Sequence, residues 1–365
     1  MPARPFDVPV QPDREGLLRC VRREGTPERV HYIELFIDWE VQEEVCRRYG
    51  VLEGLDRDDP HFMLQRQVAV QRFLGYDYVR QGLDALDFPL KHCATDDTAA
   101  LARTGGRNYM EEHAGPITNW DEFEAYPWPD PEAATTDSLE WYSENLPQDM
   151  CIIGSGGFAH FAEHLTWLMG YETLCFSLYD QRDLVEAIGE RLTATYRVSL
   201  RRMLAFERVE IIWGSDDMGF RTGTLISPAD MRQFVLPGHK LMAAMSHEAG
   251  RPYLLHSCGN MTEIMQDLIE DVGIDARHSF EDVIEPVIQA YDRYGDRIAI
   301  LGGMDVDFLC RASEDEVRAR VRRTLEHCMP GGGYCLGSGN SVTNYVPVDN
   351  FLAMLDEGRR FAATP

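Results

Sequence analysis

The chain has 365 residues, with 35 Lys+Arg against 61 Asp+Glu and a formal net charge of −26. Such a field repels phosphate backbones and anionic lipid, so neither nucleic-acid binding nor adhesion to a membrane surface is expected. The 44% hydrophobic and 26% charged fractions exclude a disordered or fibrous chain, and the length suits either one α/β barrel or two smaller domains.

Taken in chain order, the polar stretch from Met1 to Arg29 reads as an N-terminal extension. Met1-Pro2-Ala3-Arg4-Pro5 lacks the apolar core of a signal peptide. No run approaches the roughly 18 apolar residues of a membrane span. Nine cysteines without a repeating framework suit a reducing, cytoplasmic setting. Residues 30–365 read as one domain. Strands are expected at His31–Ile37, Tyr76–Arg80, Cys151–Gly154, Glu210–Gly214, Pro252–Cys258, Ile274–Arg277, Ile298–Gly302 and Gly333–Leu336.

Between these runs lie helical patterns with start signals. Ser227-Pro228-Ala229-Asp230 offers a cap, a first-turn proline and an acid, while Asn260–Glu263 and Ser313–Glu316 have capping-box spacing. Eight strands with crossover helices imply a parallel sheet closed as a TIM-like (β/α)8 barrel. No strand is followed by Gly-x-Gly-x-x-Gly, and Gly331-Gly332-Gly333 precedes a strand, so it reads as a turn. Residues 94–149, rich in Pro, Trp and acids, form an elaborated second βα connection and a candidate lid.

In such a barrel, chemistry gathers at the C-terminal ends of strands. Leu255-His256-Ser257-Cys258-Gly259-Asn260 is the sharpest signal, because strand alternation puts His256 and Cys258 on one face, where both can ligate one tetrahedral zinc. A buried histidine beside a small apolar cysteine is the competing reading. Asp216 and Asp217 diverge at the end of their strand, so one is expected in the pocket and the other capping a loop or pairing with Arg221. Glu34 sits within an apolar run, where an acid is costly unless paired or used. These give Asp216, Asp217, Glu34 and His256 as catalytic candidates. Gln81, His160, His278, Asp305 and Asn340, also at strand ends, are candidate substrate contacts.

The motifs Trp213-Gly214-Ser215-Asp216-Asp217-Met218-Gly219, Leu225-Ile226-Ser227-Pro228, Pro237-Gly238-His239-Lys240, Leu255–Asn260 and Gly333–Asn340 together resemble the uroporphyrinogen decarboxylase superfamily. The resemblance runs over most of the chain from about residue 30 and implies a single TIM-like barrel. True decarboxylases of that superfamily carry an arginine-rich motif at the first strand end. Here Ile33-Glu34-Leu35-Phe36-Ile37-Asp38-Trp39 stands there, and each acid facing a substrate carboxylate would cost on the order of 1–4 kcal/mol near a surface.

The cobalamin-dependent methyltransferase branch carries His-x-Cys-Gly at the fifth strand, matched by His256 and Cys258, and a further cysteine near the eighth. Asn340 aligns with that cysteine, while Cys335 lies five residues earlier. The third ligand is therefore Cys335, or a carboxylate such as Glu34 or Asp217, or the site holds no metal. What the resemblance implies is methyl transfer between a corrinoid and a thiol or folate, with zinc as cofactor. Since Asp-x-His-x-x-Gly is absent, methylcobalamin would arrive on a separate corrinoid protein. A metal-free decarboxylase acting on a small acid and a non-catalytic binding protein are the alternatives, and a homodimer is left open.

Overall fold

A computed structural model describes residues 6–362. Met1–Pro5, on which the reading of the N-terminus rests, lie outside the described residues. Eight parallel strands appear close to the expected places: β1 His31–Tyr32, β2 Tyr78–Gln81, β3 Cys151–Gly154, β4 Val209–Ser215, β5 Tyr253–His256, β6 Ala276–His278, β7 Ala299–Leu301 and β8 Tyr334–Leu336. They make one curled sheet in the order β1-β8-β7-β6-β5-β4-β3-β2. Parallel strands covered on both faces read as unbroken apolar runs. Accordingly Ile153, Ile211, Ile212, Leu254 and Ile300 are all fully buried.

β1 is shorter than expected. Only His31 and Tyr32 pair with β8, and the chain touches the sheet again at the Ile37–Val342 bridge. Between them the backbone of Glu34 turns to a side chain. The Glu34 amide donates to the Tyr78 hydroxyl at 2.9 Å, and that hydroxyl donates to the Glu34 carbonyl at 3.3 Å. This phenol and the buried His31 ring, 2.8 Å from Asp77, join β1 to β2, where no backbone ladder runs among the described residues.

The Glu34 carboxylate turns away from solvent and accepts from the Ser338 amide at 2.7 Å and from the Ser338 hydroxyl. It ties the loop after β8 to the end of β1, and burial pushes its carboxyl up to about 8 despite the Ser338 hydrogen bonds. A folded-state value above the unfolded one means that the native protein holds the extra proton. The stabilising contribution is therefore complete below about 4.5 and is lost as pH rises through about 8. The melting temperature of the wild type should fall across that window, and Glu34→Gln should flatten the profile. A parallel fall in both proteins would show that the titrating group is another.

The helices are set largely by their ends. Ser313 and Glu316 form the expected capping box of helix Glu314–Cys328. The Ser227 hydroxyl accepts from the Asp230 amide at 3.1 Å, starting a helix that continues to Glu248 with one widened turn at Met231–Val235. Pro237, which has no amide hydrogen to donate, follows directly on that turn. The expected cap at Asn260 does not start a helix: Asn260 Oδ1 accepts from the Thr262 amide at 3.0 Å and closes a tight turn, and regular helix begins only at Met265. The stretch 92–149 contains the antiparallel hairpin His92–Thr95/Arg107–Met110 and the helices Trp120–Ala125 and Asp137–Asn145. No helix among the described residues is long and apolar enough to cross a membrane.

Candidate metal centre

At the C-terminal edge of the sheet three side chains converge. His256 ends β5, Cys258 follows two residues on, and Asp217 leaves the end of β4. One ligand atom from each lies within 4.8 Å of the other two. His256 Nε2 is 3.3 Å from Asp217 Oδ1 and 3.5 Å from Cys258 Sγ, and the Cys258 amide donates to Asp217 Oδ1 at 2.8 Å. The Asp217 side chain is 42% exposed and that of His256 is 3% exposed, so the cluster opens to solvent on the carboxylate side.

The backbone here is shaped by two glycines that allow a close approach. A β-carbon on Gly259 (φ +88°) would sit 2.1 Å from the Gly219 carbonyl oxygen, and one on Gly219 would sit 2.9 Å from the Asn260 amide nitrogen. Free of both, the Cys258-Gly259-Asn260 turn lies directly on the short hairpin Gly219–Phe220/Gly223–Thr224, and the Asn260 amide donates to the Phe220 carbonyl at 2.8 Å.

The surroundings of the sulfur suit an electron-rich ligand. Asn340 Nδ2 donates to Cys258 Sγ at 3.0 Å, and the Ser279 hydroxyl does so at 3.4 Å. Ser279 holds φ of 90°, a conformation costing a non-glycine residue on the order of 1–3 kcal/mol. Burial, joined by the charge of Asp217, pushes the Cys258 thiol well above its ordinary value. The sulfur thus stays protonated until a cation arrives to compensate the charge.

Behind His256 stands His278. Their Nδ1 atoms are 2.7 Å apart, a distance that needs a single hydrogen between them. Burial, with His256 and the positive charges of Arg80 and Arg277 close by, pushes His278 well below the ordinary histidine range, so its ring is neutral. Ligation through His256 Nε2 requires the hydrogen on Nδ1, and His278 Nδ1 is in place to accept it. The N, O and S donors, with one imidazole already oriented, fit a borderline-soft divalent ion such as zinc. Two cavities flank the cluster. One of about 350 Å³ is walled by Glu163, Trp167, Tyr171, Asp217 and Phe220. The other, about 730 Å³, is walled by Glu281, Asp305, Asn340 and Tyr345 among others.

The family model for uroporphyrinogen decarboxylase (URO-D) matches residues 109–361, which includes every residue of this cluster. The chain belongs to the URO-D family. Within it, the chain is 32% identical over 133 residues to a methylated-thiol–coenzyme M methyltransferase of Methanosarcina mazei, covering 36% of this chain and 33% of that protein. It is 26% identical over 178 residues to a uroporphyrinogen decarboxylase of Thioalkalivibrio sulfidiphilus, covering 48% and 46%. A second uroporphyrinogen decarboxylase, from Alkalilimnicola ehrlichii, is 24% identical over 254 residues, covering 66% of each chain. The chain thus spans between one third and two thirds of the length of these curated relatives. A solved methyltransferase structure from Methanosarcina mazei shares the fold, with a TM-score of 0.65 at 16% identity over 96% of this chain and 99% of that one.

Of the residues singled out in this URO-D family sequence, His256, Cys258, Asp217, His278 and Asn340 are brought together. The others are engaged elsewhere. Asp216 is fully buried and accepts from the Ala162 and Glu163 amides, both at 2.9 Å, and lies 2.9 Å from His239 Nε2. It caps helix Phe161–Met169, so of the two adjacent acids only Asp217 faces the site. Glu34 is spent on Ser338, as described above. Cys335, expected as a third ligand, lies apart from the cluster, buried in β8 with its Sγ 3.7 Å from that of Cys20 on helix Arg14–Val21, and Asp217 stands beside His256 and Cys258 instead. Gln81 Nε2 donates to Asp84 Oδ1 and the Gly82 carbonyl inside its own loop. His160 pairs through Nδ1 with Glu163. Asp305 caps helix Val306–Arg311, accepting from the Phe308 amide at 2.9 Å, and also accepts from the Asp282 amide at 2.8 Å. Two residues escaped the sequence reading. Ser279 stands one place beyond His278, outside any strand pattern, and Arg80 was absorbed into an apolar strand although it is a cation.

Proposed function

We propose that this URO-D family member is a methyltransferase that passes a methyl group between a corrinoid carried by a separate protein and a thiol, assisted by a zinc ion held by Asp217, His256 and Cys258 on a closed TIM-like barrel. The observation that carries the reading is the convergence of one carboxylate oxygen, one imidazole nitrogen and one cysteine sulfur within 4.8 Å at the open end of the sheet. When bound there, zinc supplies a Lewis acid that lowers the pKa of an acceptor thiol toward neutrality.

The chain's own residues do the rest. His278 fixes the tautomer of His256, and Asn340 with Ser279 steadies the Cys258 sulfur as negative charge gathers on it. Asp217, the exposed member, lines the 350 Å³ cavity, so the acceptor thiol would approach the cluster from that side and its proton would leave to solvent. A corrinoid docked on its own protein would supply the methyl group as an electrophile, and the residues of this cluster would hold the deprotonated sulfur that receives it.

The reading is tested with full-length protein purified without chelator. Near-stoichiometric zinc is expected, together with zinc-dependent conversion of a simple thiol to its methyl thioether in the presence of methylcobalamin. Protein lacking zinc, and inactive when zinc is added, would end it. Release of carbon dioxide from small carboxylic acids by the same preparation would favour the decarboxylase alternative, the activity named for two of the curated relatives.

A further inference from the structure

A half-buried cation beside the cluster has no carboxylate partner among the described residues. Arg80, near the C-terminal end of β2, places its guanidinium over the ring of Trp213, 4.6 Å from the centroid, and its Nε donates to the Ser155 hydroxyl at 3.1 Å. Ser155 is itself 2% exposed. No aspartate or glutamate among the described residues forms an ion pair with Arg80, although the chain has 61 acids for 35 bases. Arg277 on β6, which is buried, is matched by Glu285 at 2.9 Å. Beside Arg80, Trp213 Nε1 is fully buried and lacks a hydrogen-bond partner, as does His278 Nε2, whose ring lies 5.3 Å from that of Trp213. An unmatched charge flanked by unused polar groups is costly in an apolar interior, and the cost is relieved when a ligand supplies the missing acceptor.

The Trp213 ring links this arginine to the metal cluster. Its other neighbour is His278, which contacts His256. Arg80 and the cluster thus both stand toward the C-terminal ends of their strands, linked through Trp213 and His278. A planar guanidinium with free N–H groups matches the paired oxygens of a carboxylate or sulfonate. We propose that Arg80, held by Ser155 and Trp213, binds the anionic carboxylate or sulfonate end of the small substrate whose reacting atom lies at Asp217, His256 and Cys258. The identity of the reacting atom as a thiol sulfur rests on the function proposed above; the anion site does not.

The test compares wild type, Arg80→Gln and Arg80→Lys, each as the full zinc-loaded chain, by calorimetric titration. The ligands are 3-mercaptopropionate, 3-mercaptopropane-1-sulfonate and the neutral 3-mercapto-1-propanol. One or both anions should bind wild type at least about ten-fold more tightly than the alcohol, as expected for charge-assisted hydrogen bonds, and the tighter one identifies the headgroup. Arg80→Gln should erase the preference and Arg80→Lys should keep part of it. Equal binding of the three thiols to wild type, or an unchanged preference in Arg80→Gln, overturns the proposal.

Thermal unfolding without ligand separates this role from a structural one. Arg80→Gln should melt at or above the wild-type temperature, because it removes an unmatched cation; a fall of several degrees overturns the proposal. Propionate and ethanesulfonate, which carry no thiol, should raise the melting temperature of wild type and not of Arg80→Gln. That result would stand even if no thiol were ever methylated, so failure of the anion site and failure of the methyl-transfer reading give different outcomes.

Discussion

Cys258→Ala is expected to empty the metal centre and abolish thiol methylation while leaving the fold in place. Its sulfur is one of three candidate ligand atoms, and its amide hydrogen bond to Asp217 comes from the backbone and survives the substitution. The turn around it is kept by Gly259 and Gly219, which the change does not touch. Loss of a partner one shell further out typically lowers metal affinity by about 10–100-fold, so loss of a ligand should exceed that. His278→Phe provides the graded comparison. It keeps a buried ring but removes the acceptor for His256 Nδ1, and zinc affinity should fall by about 10–100-fold with the fold preserved. Zinc titration against a competing chelator reads both effects. Wild-type affinity in Cys258→Ala would remove the centre from the reading altogether.

Asp216→Ala should have the opposite profile, a large loss of stability with the cluster's own ligands left in place. Its carboxylate satisfies two amides at the start of helix Phe161–Met169 and the imidazole of His239, whose Nδ1 in turn meets the Tyr253 hydroxyl at 2.9 Å. All of these groups are buried or nearly so, and removing the acceptor leaves several donors without partners. Breaking a buried charged pair typically costs about 3–5 kcal/mol. The midpoint of urea unfolding should fall accordingly with an unchanged slope, while Asp216→Asn, which keeps one acceptor oxygen, should lose less. Wild-type stability with abolished methyl transfer would return Asp216 to the catalytic group.

The strands were legible because a parallel sheet covered on both faces leaves apolar runs that little else produces. β1 was read too long because its apolar residues continue to Ile37, while the backbone of Glu34 leaves the ladder for the Tyr78 hydroxyl, a contact between residues 44 apart. The pairing of His256 with Cys258 followed from strand alternation, and the divergence of Asp216 and Asp217 followed from their adjacency. Which acid faced the site did not, since that depends on where helix Phe161–Met169 begins against the sheet. Cys335 was misassigned for a related reason: separation along the sequence says nothing about depth along a strand, and its sulfur meets Cys20 of the N-terminal helix. Arg80 went unremarked because a cation inside an apolar run is usually assumed to have found a partner, and its isolation shows only in three dimensions.

The phenol of Tyr78 has a mechanical corollary. Elsewhere in the sheet neighbouring strands are fastened by backbone ladders, whereas the first and second meet through side chains, the Tyr78 phenol on the Glu34 amide and carbonyl and the buried His31 ring 2.8 Å from Asp77. The seam between the first and second strands is thus stitched by side chains in place of main chain. Arg80 sits on that second strand, two residues beyond the phenol, so the side chains that stitch the seam also fix the stem of the guanidinium.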